Sequence, residues 1–286
     1  MGKENSPQRA QRSQSRRFGF GILDAKKESG FVQGAGFKPA LFALNYANSF
    51  YRDKLIARLL IGYVVCLPIG NAHAQDLRAI LAERDRPDNE RAMDADRKPE
   101  QLLNFFQVKS GAKSADLMAG AGYYTAILAL AVGPSGVVYS ANPTIRRQTR
   151  ERFSAPRYAN VKLLEGAMDK VALPADGSLD FILIHLDYHM IAAPARAEMN
   201  RRIFTALKPG GVYGVVDHAA KEGAGEDDRK KLHRIDKQIV LKETAGAGFK
   251  FTGEGLMLRN AFDAHDQPSQ KLYGKSDRFV LALRKP

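Results

Sequence analysis

Short apolar runs alternate with longer helical patterns along the chain from residue 77 to its end. Six segments have the composition and spacing of helices: 77–83, 99–108, 123–131, 144–152, 194–207 and 227–246. Seven short runs rich in apolar and β-branched residues predict strands at 114–118, 137–141, 161–164, 179–186, 212–216, 249–258 and 278–283.

Strands that alternate with helices in this way are typical of a parallel sheet with helices on both faces. The last two strands follow each other without a helix, so they predict a closing hairpin. We therefore expect an α/β, doubly wound, Rossmann-like fold: a mostly parallel seven-stranded sheet with a C-terminal antiparallel hairpin, formed by residues 75–286.

The first 74 residues lack this alternation. Residues 1–53 are polar and basic, then glycine-rich without a steady period, so we predict a disordered leader. Residues 54–74 combine a positive flank, a 12-residue apolar run and an Ala-x-Ala ending at Ala74. These three features predict a secretory signal peptide that is cleaved after Ala74.

If this signal is used, the protein is periplasmic or secreted. The alternative is an uncleaved buried or membrane-associated helix in a cytoplasmic protein. A signal peptide normally begins its chain, and this one lies more than 50 residues in. We therefore expect that translation starts near residue 54 and that residues 1–53 do not belong to the native protein.

The chain has 44 Lys and Arg against 31 Asp and Glu, a net charge of +13. Of these, 11 basic and 4 acidic residues lie in 1–74, so the predicted domain keeps 33 and 27. The uneven distribution argues against nucleic acid as a partner. Cys66, the one cysteine, excludes a disulfide framework and a cysteine-based zinc site. No apolar run reaches the ~20 residues of a membrane-spanning helix.

The segment from Asp116 to Thr125, DLMAGAGYYT, joins the first predicted strand of the sheet to a helix. Gly120 and Gly122 allow a sharp turn and close approach of a ligand, and the helix start offers free N–H groups. A dinucleotide fingerprint requires a third glycine where Thr125 stands and an acid near Asn142. No G-K-[ST] phosphate loop follows. The segment predicts a ligand crevice that is neither a nicotinamide nor a nucleoside-triphosphate site.

Several short pieces of the sequence match one known family: Arg97-Lys98-Pro99, the segment just described, Leu173-Pro174, Asp187-Tyr188-His189, 207–211, Val216-Asp217-His218 and Leu232–Asp236. In these pieces the chain resembles the class I S-adenosylmethionine-dependent methyltransferases, in particular a bacterial group of predicted methyltransferases. The resemblance covers about residues 90–286 and implies S-adenosylmethionine as cofactor and a small-molecule acceptor. It implies cofactor-binding roles for Asp116, Ala119, Gly120 and Gly122 at the methionine part, Asn142 at the ribose, and Met168 and Asp169 at the adenine.

Two positions depart from the wider class. Met118 stands where glycine is usual, and Asn142 stands where an acid usually grips the ribose hydroxyls. An asparagine can accept one such hydrogen bond and donate another, but it carries no charge. These departures favour weaker or rearranged cofactor binding.

His189 and His218 follow neighbouring predicted strands, so they can converge on the crevice as general bases. Asp187 or Asp217 can orient either ring, and the resemblance places Asp187 and His189 at the methyl group and substrate. The alternative is that both histidines make only local hydrogen bonds. His185 and His189 are four residues apart, but on a strand running into a loop, so we expect no metal site. Segment 233–236 is either a solvated helix face or a lid over the substrate.

Three functions remain open. The first is methyl transfer to a small acceptor. The second is a non-catalytic, exported ligand-binding domain on the same fold, which the signal peptide and the two departures favour. The third, a nucleic-acid methyltransferase, is weakened because Asp187-Tyr188-His189 replaces the Asn-Pro-Pro-Tyr type of motif.

Overall fold

Seven strands and eight α-helices lie in residues 76–286, the part of the chain that the computed structural model describes. The helices α1 to α8 span Leu77–Ala82, Asp88–Arg97, Pro99–Phe105, Tyr123–Val132, Arg147–Phe153, Ala193–Ala206, Asp227–Lys231 and Lys237–Gly246. The strands β1 to β7 span Lys113–Leu117, Val137–Asn142, Val161–Glu165, Leu179–His185, Leu207–His218, Lys250–Gly255 and Arg278–Arg284.

All seven strands form one sheet in the order β3-β2-β1-β4-β5-β7-β6. The first five strands pair in parallel, and β7 pairs antiparallel with both β5 and β6. The predicted fold class, with its C-terminal antiparallel hairpin, is confirmed. Along the chain, β2 and β3 follow β1 toward one edge of the sheet, and β4 then pairs with the opposite side of β1. The carboxyl ends of β1 and β4 therefore flank a topological switch point.

Strand β4 shows why the sheet is covered on both faces. Phe181 and Leu183 belong to one apolar cluster, whereas Ile182 and Ile184 belong to the other. Successive side chains of a strand point to opposite faces, so a continuous apolar run requires packing on each side. The two clusters fix β4 at the centre, and its polar end, His185, lies at the switch point.

Helix α2, Asp88–Arg97, has no counterpart among the predicted helices. Its sequence, DNERAMDADR, has no apolar face, and Glu90 is its one fully buried residue. The acids of its first turn and Arg97 in its last turn suit the helix dipole. The ion pair between Glu90 and Arg152, with a hydrogen bond from the Tyr123 hydroxyl to Asp94, fastens it to the rest of the domain, and such contacts leave no periodic signal in the sequence.

The prediction of one helix over 227–246 is wrong. The structure ends α7 at Lys231 and begins α8 at Lys237. Between them, Ile235 donates its N–H to the His218 carbonyl and accepts from the Ala220 N–H. Asp236 then caps α8 by accepting from the Gln238 N–H at 2.8 Å. Because these bonds join the segment to the end of β5, tertiary pairing replaces the helix that local propensity favours.

The predicted leader, 1–53, and the predicted signal peptide, 54–74, lie outside the described residues. Within 76–286, no helix combines the length and apolar character needed to cross a membrane.

Candidate active site

A cavity of about 200 Å³ lies at the switch point between β1 and β4. Three parts of the chain enclose it: helix α2, the turn after β1 with the start of α4, and the end of β4. The lining residues are Asn89, Glu90, Met93, Arg97, Asp116, Met118, Ala119, Gly120, Ala121, Tyr123, Tyr124, His185, Leu186 and Asp187. Four residues predicted from the sequence, Asp116, Ala119, Gly120 and Asp187, are among them.

The two glycines of the turn after β1 serve different purposes. Gly120 has φ +58°, and a Cβ built on it would meet nothing within 4 Å. Gly122 has φ +87°, and its Cβ would lie 2.4 Å from the Phe153 ring. Both need a left-handed backbone, which glycine adopts without strain. Gly120 leaves space beside the cavity, whereas Gly122 permits close packing of α4 against Phe153.

Met118 also has a left-handed backbone, with φ +55°. Its side chain is half-buried, packs against one apolar cluster and lines the cavity. A non-glycine residue in this conformation is strained by roughly 1–2 kcal/mol. The departure noted in the sequence thus places a strained, apolar side chain at the cavity wall.

Asp116 is a buried acid at the end of β1, with 2% of its surface exposed. Its Oδ2 accepts a hydrogen bond from Thr125 Oγ1 at 2.7 Å, and Thr125 Oγ1 lies 2.9 Å from Ser140 Oγ. Burial raises the pKa of Asp116 to about 7, although the bond from Thr125 favours the carboxylate. A carboxyl poised near neutrality gains its charge readily when a cationic ligand binds beside it.

Arg97 is the cation that lines this cavity, although no role was assigned to it from the sequence. Its guanidinium carbon lies 4.6 Å from the centroid of the Tyr123 ring. The guanidinium makes no ion pair with any carboxylate of residues 76–286. Its charge favours the ionised forms of Asp116 and Asp187. The cavity is therefore lined by one cation that forms no ion pair within residues 76–286 and by two acids of raised pKa, Asp116 and Asp187. The third acid of the lining, Glu90, pairs with Arg152.

Asn142 is buried, and the glycine turn engages its side chain. Its Oδ1 accepts from the Gly120 N–H at 2.7 Å, and its Nδ2 lies 3.4 Å from the Gly120 carbonyl. The amide thus fixes the turn to the end of β2. Met168 is buried in an apolar cluster and Asp169 is half-buried. These three residues, with Gly122, do not line the cavity.

Two residues of the β4 end lie at the far wall of the cavity. Burial, and then the Asp217 carboxylate, raise the pKa of Asp187 to about 6. His185 is buried against the Tyr124 ring, 4.6 Å between centroids, and its Nε2 has no hydrogen-bond partner among the described residues. Burial holds the pKa of His185 well below its usual value, so the ring is neutral.

His189 and Asp217 form a buried pair next to Asp187. His189 Nδ1 lies 2.8 Å from Asp217 Oδ1, and the His189 N–H donates to Oδ2 at 2.7 Å. The Asp217 carboxylate also accepts from the His218 N–H at 2.7 Å. Burial opposes the charge on His189, but the carboxylates of Asp217 and Asp187 outweigh it and raise the pKa of His189.

His218 differs from His189 in its partners. Its Nδ1 lies 2.7 Å from Ser276 Oγ, and burial lowers the pKa of His218 to about 4. The ring centroids of His189 and His218 are 5.9 Å apart. A third ring, that of His233, lies 5.5 Å from His189. Within residues 76–286, no group of three or more His, Cys, Asp or Glu side chains is arranged to hold a metal ion.

His233 lies in segment 233–236, for which the sequence left open a solvated helix face or a lid over the substrate. In the structure, the break between α7 and α8 places the His233 ring beside that of His189. In the sequence, His233 stands in a predicted helix of mixed charge. A histidine there does not by itself distinguish a binding site from a solvated surface. Arg97 belongs to Arg97-Lys98-Pro99, one of the pieces that carry the family resemblance, but its place at the cavity could not be predicted because α2 was not predicted.

Residues 115–211 match the sequence profile of a methyltransferase domain. That match runs from β1 into β5 and includes the glycine turn, Asp187 and His189. It includes the ends of β1 and β4 that border the cavity, but not helix α2, which forms another wall.

Two curated relatives give partial matches. A demethylmenaquinone methyltransferase of Geobacillus sp. is 28% identical over 39% of this chain and 47% of its own length. A protein-L-isoaspartate O-methyltransferase of Ignicoccus hospitalis is 37% identical over 52% of this chain and 65% of its own length. The chain thus spans between about half and two thirds of the length of these relatives.

The fold is shared with solved structures. A SAM-dependent methyltransferase from Aquifex aeolicus aligns with a TM-score of 0.53 and 20% identity, over 73% of this chain and 98% of that one. At this identity the likeness concerns the fold. The matching domain profile and both relatives are described as methyltransferases, so methyl transfer is the activity shared by the proteins that this chain resembles.

Proposed function

We propose that this protein transfers a methyl group from S-adenosylmethionine to a small-molecule acceptor at the switch-point cavity. The observation that carries the proposal is the set of groups meeting there: a glycine turn with open space at Gly120, the carboxyl groups of Asp116 and Asp187, and the guanidinium of Arg97. When bound, S-adenosylmethionine would supply a methyl group on a positively charged sulfonium; a nucleophile in line with the carbon–sulfur bond takes the methyl group, and the neutral thioether leaves.

The residues present fit this cofactor. Its methionine part carries a carboxylate and an ammonium group. Arg97 is available for the carboxylate, and Asp116 is suited to the ammonium group because a neighbouring positive charge favours its ionised form. Asp187 adds a second acid beside the cavity. Gly120 presents backbone rather than a side chain to the cavity.

The base for the acceptor is His189. The Asp217 carboxylate accepts hydrogen bonds from two backbone N–H groups, and it is likewise the acceptor toward the His189 ring. In the neutral ring, His189 Nδ1 therefore carries the proton and Nε2 keeps its lone pair. Asp217 is therefore a positioning residue that fixes the ring. Asp187 connects the two halves of the site, because it lines the cavity and interacts electrostatically with His189. Holding reactants in line accounts for much of the acceleration in such transfers.

One observation favours a second candidate, a non-catalytic ligand-binding domain. The Asn142 amide, the group expected at the ribose, is occupied by the Gly120 backbone. An export signal at 54–74 would add to this alternative, because S-adenosylmethionine is made in the cytoplasm. That export is itself a proposal, and cell fractionation followed by N-terminal sequencing tests it.

Calorimetric titration of the full-length chain with S-adenosylmethionine and S-adenosylhomocysteine distinguishes the two functions. We expect micromolar binding that is lost in Asp116→Asn and kept in Asp176→Asn, a matched change at an exposed acid. Absence of binding up to millimolar cofactor in the wild type would contradict the proposed function. Binding without transfer to any acceptor of a broad panel would favour the ligand-binding domain.

A further inference from the structure

A second cavity lies beside the last turn of α2, apart from the switch-point cavity. Its volume is about 460 Å³, and it is enclosed by the end of α2, the segment between β6 and β7, and Arg278 at the start of β7. Among the described residues, none lines both cavities: Asp96 and Lys98 line this one, whereas Arg97 lines the other. A ligand in this Arg278 cavity is therefore distinct from the cofactor proposed above.

The Arg278 cavity lies at the edge of the sheet where the parallel strands end. Strands β5 and β7 pair so that Arg278 is opposite His218, the last residue of β5. Ser276 lines the cavity, and its Oγ lies 2.7 Å from His218 Nδ1. Ligands of open α/β sheets bind outside the carboxyl ends of the strands, so the cavity is on the side of the sheet that favours a binding site.

Arg278 is the buried cation of this cavity, with 5% of its surface exposed. Three other arginines of residues 76–286 are buried, and each of them pairs with a carboxylate: Arg86 with Asp94, Arg196 with Glu243, and Arg234 with Asp263. Arg278 forms no ion pair within the same residues. A buried charge is costly unless an opposite charge compensates it, so Arg278 favours an anion beside it.

The hydrogen-bonding capacity of Arg278 is also largely unused. A guanidinium has five N–H donors, and Nη2 of Arg278 donates one of them to the Gly274 carbonyl at 2.6 Å. Nε is buried, and neither Nε nor Nη1 has a hydrogen-bond partner within residues 76–286. Carboxylate and phosphate groups accept two guanidinium N–H bonds at once, so an oxyanion is the group that these donors fit.

Asp277, the acid next to Arg278 in the chain, does not pair with it. Its Oδ1 accepts from Arg259 Nε at 2.9 Å and from the Asn260 N–H at 2.7 Å. Its Oδ2 lies 3.0 Å from His265 Nε2. Because both oxygens of Asp277 have other partners, this carboxylate is not available to the guanidinium of Arg278.

Asp96 determines how much negative charge a ligand can carry in the cavity. It is the one acid among the described residues that line the cavity. A Cβ built on Gly274 would overlap Asp96 Oδ2, so the carboxylate lies directly against the cavity wall. Burial lowers the pKa of Arg278, and the Asp96 carboxylate counteracts this effect without pairing with the guanidinium. Because Asp96 also repels a second negative charge on a ligand, a singly charged carboxylate fits better than a doubly charged phosphate.

Apolar side chains of the cavity indicate what the carboxylate is attached to. Met257, Leu258 and Phe262 are in the lining, and Phe262 exposes 98% of its surface. Sites for small molecules are mostly apolar, have volumes of about 300–1,000 Å³, and contain a few polar groups that fix the orientation of the ligand. A carboxylate on a compact apolar body would contact both the guanidinium and these side chains.

We propose that the Arg278 cavity binds a small monocarboxylate, whose carboxylate accepts hydrogen bonds from Arg278 and whose apolar body contacts Met257 and Phe262. The carboxylate compensates the buried guanidinium, and the apolar body covers the Phe262 ring. This inference goes beyond the proposed function and does not depend on it, because the two cavities have no lining residue in common.

Three probes with the same aromatic body measure the charge preference of the cavity. At pH 8, 4-fluorobenzoate carries one negative charge, 4-fluorobenzamide none, and 4-fluorophenyl phosphate two. Fluorine NMR of each probe with the full-length chain gives its dissociation constant. We expect the benzoate to bind about tenfold more tightly than the benzamide, because hydrogen bonds between charged groups are the stronger ones. The benzoate should also bind at least as tightly as the phosphate.

Matched substitutions assign the binding to Arg278. Arg278→Met removes the guanidinium and keeps much of the side-chain volume, so 4-fluorobenzoate should bind about tenfold more weakly, as the benzamide does. Lys271→Met removes an exposed cation of the same segment that does not line the cavity, and it should leave the affinity unchanged. Arg97→Met removes the guanidinium at the switch-point cavity and should keep most of the affinity for the benzoate.

Phe262→Ala tests the apolar contact with a change outside the core, because the side chain is almost completely exposed. We expect the benzoate and the benzamide both to bind about threefold more weakly to this variant. The variant tests the site even if Arg278→Met does not fold.

Several results would overturn the inference. They are no binding of 4-fluorobenzoate up to millimolar concentration, equal binding of the benzoate and the benzamide, and unchanged affinity in a folded Arg278→Met variant or in Phe262→Ala. Loss of benzoate binding in Arg97→Met but not in Arg278→Met would place the carboxylate at the switch-point cavity instead. Tighter binding of the phosphate than of the benzoate would show that the cavity prefers a doubly charged ligand.

Discussion

Met118, at the cavity wall, makes two opposing contributions to the stability of the fold. Its left-handed backbone is strained, whereas its half-buried side chain contributes apolar packing. Each contribution is on the order of 1 kcal/mol. Replacing Met118 by glycine removes both, so the free energy of unfolding should change little.

The comparison with alanine isolates the strain. Met118→Ala loses the packing and keeps the strained backbone, so Met118→Gly should be more stable than Met118→Ala by about 1 kcal/mol. This reverses the order that the two residues show at ordinary helix positions. Urea unfolding of both variants measures the difference. Equal stability, or a more stable alanine variant, would show that residue 118 does not keep φ +55° in solution.

Helix α2 closes one side of the cavity through few, specific contacts. Glu90 is buried and pairs with both terminal nitrogens of Arg152, one of them at 3.0 Å. Arg152 also donates to the Ala121 carbonyl at 3.0 Å, which connects α2 to the glycine turn. Asp94 accepts from Arg86 and from the Tyr123 hydroxyl. The helix thus depends on ion pairs rather than on an apolar face.

Breaking the buried pair should release α2 without unfolding the sheet. We expect Glu90→Gln to speed amide hydrogen exchange in residues 88–97 by at least about tenfold, since it leaves Arg152 inadequately paired. Exchange in β1 and β4 should be unchanged.

Asp88→Asn is a matched control for Glu90→Gln. It lies in the same first turn of α2, but its pair with Arg91 is exposed and contributes little. Both changes remove one acid from the helix start, so their dipole effects are similar. If the two variants accelerate exchange equally, the Glu90–Arg152 pair does not fasten α2.

The stability of the whole domain should depend on the charge of Asp116. Its pKa is about 3.8 in an unfolded chain and about 7 in the fold, so the native state binds the additional proton between these values. Stability contributed by this group is complete below pH 4 and is lost as the pH rises toward 7. Above that, the buried carboxylate is a constant cost of up to about 4 kcal/mol.

Asp116→Asn removes this pH dependence. The variant should match the wild type at pH 4 and exceed its free energy of unfolding by about 2–4 kcal/mol at pH 8. Chemical denaturation without cofactor, at both pH values, measures the difference. A variant that is less stable than the wild type at pH 8 would mean that Asp116 is ionised and well stabilised in the native state. The expected gain also ensures that loss of cofactor binding in this variant does not come from unfolding.

The strand pattern and the glycine turn could be predicted from the sequence because both depend on local chemistry. A buried parallel strand needs a continuous apolar run, and a sharp left-handed turn needs glycine at Gly120 and Gly122. Strand order places the ends of β1 and β4 together, so the position of Asp116 and Asp187 at one crevice followed from the fold class.

The remaining features depend on partners far apart in the chain. Arg97 reaches the cavity only because α2 is fastened by Arg152 and Tyr123. His233 faces His189 only because Ile235 pairs with the end of β5 and interrupts the predicted helix. Side-chain geometry decides that His189 Nδ1 pairs with Asp217 rather than with Asp187. It also decides that the Asn142 side chain binds the Gly120 backbone. Polar contacts between distant segments have no period, so only the tertiary structure could decide them.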